Sequence, residues 1–165
     1  MDAIAPAVTD LMKRAPAGAP PLQAALELIL AKASGQGGTI HLLDRDGVTL
    51  RLAAWSRSIP EAVLAAVRAV PMGKGMAGIA AERRAPVTTC DLQSDNAGGA
   101  ARPGAKATGF RGSICIPMIA ADGRLLGTLG VGCAETREFS EGEVADLLAA
   151  GRAIADAAAR DAAAQ

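Results

Sequence analysis

Aromatic residues are nearly missing from this chain. Its 165 residues include one Trp, two Phe and no Tyr. A protein that stacks single-stranded bases needs several such rings, so that class is excluded. Net charge is missing too. The 17 Lys and Arg balance the 17 Asp and Glu. Neither phosphate neutralisation nor attraction to an acidic membrane surface has an excess charge to work with, so no nucleic-acid and no membrane partner is expected. No run of about 18 apolar residues occurs, so no spanning helix is expected. Cysteines are few, at positions 90, 115 and 133, with no CxxC pair. An odd count at wide spacing is not a secreted disulfide framework. Asp2 and Pro6 interrupt the start, which does not read as a signal peptide. The expectation is a cytoplasmic protein.

What is present is apolar. Half of the residues are hydrophobic, enough for one domain with a core of ordinary size. The abundance of Ala and the excess of Arg over Lys read as the codon bias of a GC-rich, bacterial genome. Residues 1–20 read as an N-terminal helical or linker segment, 21–160 as the domain and 161–165 as a tail.

Periodicity organises the chain. "LQAALELILAKAS" (22–34) has helical spacing and "GQGG" stops it. "TIHLLD" (39–44) and "VTLRLAAW" (48–55) are strands joined by "RDG", a hairpin signal. "PEAVLAAVRAV" (60–70) is a helix with Pro in its first turn. "GKGMAGIAAERRA" (73–85) is a glycine-led turn into a short helix. It lacks the G-K-[ST] ending of a phosphate loop and a clear preceding strand. "PVTTCDL" (86–92) is a short strand. Residues 93–110 form a long Gly-, Asp- and Pro-rich loop, a functional or mobile type. "SICIPMI" and "LLGTLGVGC" pair through "ADGR". A long helix follows, opened by a Ser140/Glu143 capping box, with Val144, Leu147, Leu148, Gly151, Ile154 and Ala158 along one face. The order predicts an α+β fold, an antiparallel sheet with helices packed on its faces.

Alternation sorts the last two strands. Ile114, Ile116 and Met118 share a face, as do Leu129, Val131 and Cys133. That face is greasy and should seat the terminal helices. The other face carries Ser113, Cys115, Thr128, Gly130 and Gly132. Giving up side chains at two alternate strand positions weakens a packed sheet and suits a cavity. The other reading is that bulky side chains of helix 75–82 fill the space above the glycines.

The same segments resemble the GAF domain family. "GTIHLLDRDGVTLRLAA" is similar to its first hairpin, and "GKGMAGIAAERRAPVTTCDL" to its G-x-G-x-x-G-x-x-A…P-V-x-x-x-D-L signature. "GFRGSICIPMIAADGRLLGTLGV" and "EFSEGEVADLLAAGRAIADA" are similar to its closing strands and helix. The resemblance covers roughly residues 20–160. It implies a six-stranded antiparallel sheet, terminal helices on one face, and short helices and loops over a ligand pocket on the other. It implies a regulatory or sensory module that binds a small molecule between the sheet and loop 93–110. It places His41 on a pocket-facing strand position, with Asp91 ending the signature strand. Trp55 would be a wall, Met76 and Ile79 would come from the short helix, and Phe110 and Arg111 from the loop.

One branch of the family reduces free methionine-R-sulfoxide, using a loop cysteine and pocket carboxylates. The matching positions here are Lys106, and Ser113, Gly130 and Gly132, so that activity is rejected and no enzyme is expected. A metal or redox sensor using His41, Cys115 and Cys90 is the alternative, since a His with two thiolates suits zinc or copper. No cofactor is specified. An anionic ligand would find Arg102, Lys106 and Arg111 on or beside the loop. The apolar stripe from Val144 to Ala158 predicts a homodimer through helices 22–33 and 141–160. A downstream signalling protein, or a purely structural dimerisation role, completes the options.

Overall fold

The computed structural model describes residues 3–16, 20–94 and 108–164, without the side chains of 161–164. Arg102 and Lys106, and most of the long loop, lie outside the described residues.

Helix α1 (Ile4–Arg14) buries Ile4, Val8 and Met12, a one-face spacing of four. It does not stand apart as an N-terminal segment. Those three side chains belong to the main core. Helix α2 (Leu22–Ala33) buries Ala25, Leu26, Ile29, Leu30 and Ala33. Strands β1 (Gly37–Leu43) and β2 (Thr49–Trp55) form the first hairpin. At its turn the Asp46 carboxylate accepts the amides of Val48 and Thr49, both at 2.9 Å.

Helix α3 (Glu61–Val67) is followed by strand β3 (Ala69–Pro71). The sequence reading carries this helix on to residue 70. It stops earlier because Val70 precedes a proline, which disfavours the helical region there. Val70 instead pairs opposite Leu50 and buries. Helix α4 (Gly75–Arg83), strand β4 (Val87–Thr89), strands β5 (Ser113–Ile119) and β6 (Leu125–Gly132), and helix α5 (Glu141–Ala164) complete the chain. The sheet has six strands in the order β3-β2-β1-β6-β5-β4, with antiparallel neighbours throughout.

One face of the sheet is the greasy one. Ile40, Ala54, Ile114, Ile116, Met118, Leu129 and Val131 pack under α1, α2 and α5. Gly151 lets α5 lie close on β5, since a Cβ there would sit 2.5 Å from Ile116 Cδ1. The stripe expected to form a dimer seam is buried inside the chain. Leu147 and Ile154 are 1% and 0% exposed and belong to the same core as the sheet residues. This corrects the ground on which the homodimer was expected. A stripe that covers a sheet is not free to cover a second copy.

Two polar knots hold the helices. Ser140 Oγ accepts the Glu143 amide at 3.1 Å and Glu143 accepts the Ser140 amide at 3.3 Å, the expected capping box. Glu143 also takes the Arg137 guanidinium, which holds its carboxyl below the usual carboxylate range. Arg137 reaches Ala33 O at 2.6 Å and lies 4.5 Å from the Phe139 ring centre. The second knot is long-range. Asp146 of α5 accepts the first amides of α1, from Ile4 at 2.7 Å and Ala5 at 2.8 Å. Residue Ala3 at the N-cap has no side chain to do this.

Asp146→Ala should therefore cost about 1–2 kcal/mol, with α1 losing amide protection before the sheet does. Hydrogen exchange checks this. Unchanged protection of α1 would refute it.

Candidate functional site

The other face of the sheet floors a cavity of about 380 Å³, within the range of small-molecule sites. Thr39 and His41 of β1, Ser113 and Cys115 of β5, and Gly130 and Gly132 of β6 contribute to the floor. Strand alternation puts them together, because β1 and β5 both pair with β6. Ile59 and the Val63, Ala66 and Val67 side of α3 form one wall. The first turn of α4, from Lys74 to Ala77, forms another. Leu92, Thr108 and Phe110 close the loop side.

The two glycines do different jobs. A Cβ on Gly132 would lie 2.4 Å from the Phe110 ring, and a Cβ on Gly37 would meet the same ring at 2.4 Å. These two glycines seat an aromatic side chain. Among the described residues, a Cβ on Gly130 would meet only Thr39, with Oγ1 at 3.4 Å. Space is therefore left open at Gly130, while at Gly132 Phe110 takes it. The sequence reading expected open space at both, or filling by the helix 75–82. Phe110 comes from the other side. Its carbonyl accepts from Gln93 at 2.7 Å, and the next residue, Arg111, donates its amide to Cys133 O at 2.8 Å.

His41 is 3% exposed. Its Nε2 lies 2.9 Å from Val67 O, and a carbonyl only accepts, so Nε2 carries the proton. Nδ1 is then a bare acceptor, with no partner among the described residues. Burial holds the ring below its ordinary pKa of 6.5, so it is neutral at pH 7. Thr128 stands opposite His41 in the β1–β6 register. Its hydroxyl is buried near the Cys115 thiol, yet it makes no hydrogen bond of good geometry. Burial pushes the Cys115 thiol up to about 12, so it stays protonated. A protonated buried thiol behaves as a small hydrophobe, not as a nucleophile or a metal ligand.

The candidate metal or redox set is not brought together. Cys90 is exposed, with its thiol directed at Glu138 3.9 Å away, and is not in the cavity wall. Among the described residues no group of three or more His, Cys, Asp or Glu could hold a metal ion.

Of the expected site residues, His41, Met76, Phe110, Ser113, Cys115, Gly130 and Gly132 line the cavity. The rest do not. Trp55 is 43% exposed at the end of β2, where its backbone bonds with Gln23 of α2. Ile79 lies one turn too far along α4, because only its first turn reaches the cavity. Asp91 and Arg111 pair with each other at 2.9 Å outside it. Thr128 is buried and absent from the wall. Sequence reasoning missed Thr39, though it sits two residues from His41 on the same strand face. It also missed α3 and Lys74, which carry no signal beyond an apolar helix face and a turn.

Among the described residues no helix is long and apolar enough to cross a membrane.

Comparison with known proteins agrees with this architecture. No curated protein matches the chain. Among solved structures, the GAF domain of an Acinetobacter phosphoenolpyruvate-protein phosphotransferase is 16% identical. The alignment covers 98% of this chain and 94% of that one, with a TM-score of 0.79. The corresponding domain from Coxiella burnetii is 23% identical over 98% and 94%, with a TM-score of 0.73. The free methionine-R-sulfoxide reductase of Neisseria meningitidis, solved with its substrate, is 18% identical over 98% and 90%, with a TM-score of 0.77. At these identities the likeness is one of fold. The family model for the GAF domain matches residues 21–158, and the chain belongs to that family.

Proposed function

We propose that this chain is a sensory or regulatory domain that binds a small molecule in the cavity over Gly130. The single observation that carries this is the unfilled space at that residue. At Gly132 and Gly37 the room a glycine leaves is taken by the Phe110 ring. Over Gly130, among the described residues, only Thr39 comes within 4 Å, and an apolar-walled hollow with a few polar groups on its floor is the usual form of a ligand site.

The reading is non-catalytic. The only thiol in the cavity wall is protonated, and Ser113, Gly130 and Gly132 stand where the reductase branch resembled in the sequence uses carboxylates. A signal would pass through the sheet to α1, α2 and α5 on its other face. A cytoplasmic homodimer through the outer surfaces of α2 and α5, with a downstream partner, belongs to this reading. The buried stripe takes no part in it.

A thermal-unfolding screen of small organic compounds tests the proposal, with Gly130→Leu as control. A leucine side chain fills the hollow from a position whose own Cβ has room. Ligands should raise the melting temperature of the natural protein and leave the variant unmoved. Hits that stabilise both proteins equally would overturn it.

A further inference from the structure

The chemistry of the cavity wall narrows what it accepts. The first feature is the start of α4. Its N-cap residue, Lys74, makes no side-chain capping bond. The amides of Gly75, Met76 and Ala77 have no hydrogen-bond partner among the described residues, and all three residues line the cavity. Unpaired first-turn amides carry partial positive charge and favour an anion.

The second feature is the charge of the lining. Among the described residues that line the cavity, Lys74 is the one charged side chain, and no Asp or Glu is present. A cation entering would lose its water with no counter-charge to replace it. An organic anion meets Lys74 and the helix start.

The third feature is independent of the helix. His41 lines the cavity, is 3% exposed, and keeps Nδ1 as a bare acceptor. A buried acceptor without a donor is costly to leave. The histidine end therefore calls for a donor and the α4 end calls for an acceptor.

Resting on the ligand reading above, we propose that the cavity takes a small organic acid with an apolar body. Its carboxylate sits on the first turn of α4 beside Lys74, and one N–H or O–H group donates to His41 Nδ1.

Four matched probes test this by calorimetry and nitrogen NMR. Leucic acid has the anion and the hydroxyl donor. Isocaproate keeps the anion alone, leucic amide keeps the donor without charge, and isohexylamine is a cation. Leucic acid should bind about tenfold tighter than isocaproate and than leucic amide, and isohexylamine should not bind. Lys74→Met, a surface change, should remove most of the preference for the acid over the amide. His41 is the single histidine of the chain, so its ring nitrogen signals are unambiguous. The Nδ1 signal should move with leucic acid and stay with isocaproate. Equal or tighter binding of the amide or the amine would overturn the ligand class while keeping the cavity as a ligand site. Binding by none of the four would also overturn the class. The ligand reading itself would then fall only if the Gly130→Leu screen gave no selective hit.

Discussion

Gly127→Ala should destabilise the domain by about 3 kcal/mol or more, although it adds a single methyl group. The methyl would lie 1.9 Å from the His41 carbonyl oxygen, 2.9 Å from His41 C and 3.0 Å from Leu42 Cα. All three atoms are backbone, so no side chain can swing aside. Strands β1 and β6 are the two central strands, and Leu42 pairs with Gly127. Relief requires the strands to part, which disturbs the hairpins on both sides. Gly130→Ala, three residues on, should stay within about 1 kcal/mol, because its Cβ meets only Thr39 at ordinary or slightly tight distance. Urea unfolding of the pair checks the contrast. Similar losses in both variants would contradict the geometry.

The second large effect lies on the helical side. Ile154→Ala should cost about 2–5 kcal/mol, the usual range for an emptied core site. Ile154 is fully buried against the sheet core. The loss should not depend on protein concentration, since the neighbours of Ile154 belong to its own chain. A loss that changes with concentration would instead place the stripe at a subunit interface, and a loss under about 1 kcal/mol would contradict its burial in the core.

Legibility in the sequence followed the strength of local patterns. The two hairpins and the split between a greasy and a small-residue face were readable, because alternation at Ile114, Ile116, Met118 and Leu129, Val131 is strict. The capping box at Ser140 and Glu143 was readable for the same reason, being a local spacing. Strand β3 was not, because three residues at the end of an apolar helix leave no period to count. The glycine pair was half legible. That both faced one hollow followed from spacing, but that Phe110 would occupy one of the two places depends on where a long loop returns. Trp55 and Ile79 were misplaced for related reasons. Trp55 sits at the exposed end of β2 and only the first turn of α4 reaches the cavity, and neither fact is written in a local pattern. The stripe on α5 shows the same limit. Periodicity identifies a buried face and says nothing of whether the cover comes from the same chain or another.

Native mass spectrometry tests the central claim most directly. The protein and its Gly130→Leu variant would each be incubated with the small-molecule extract of the source cells and weighed intact. A discrete added mass is expected on the natural protein and not on the variant. The same adducts on both proteins, or none on either, would contradict it.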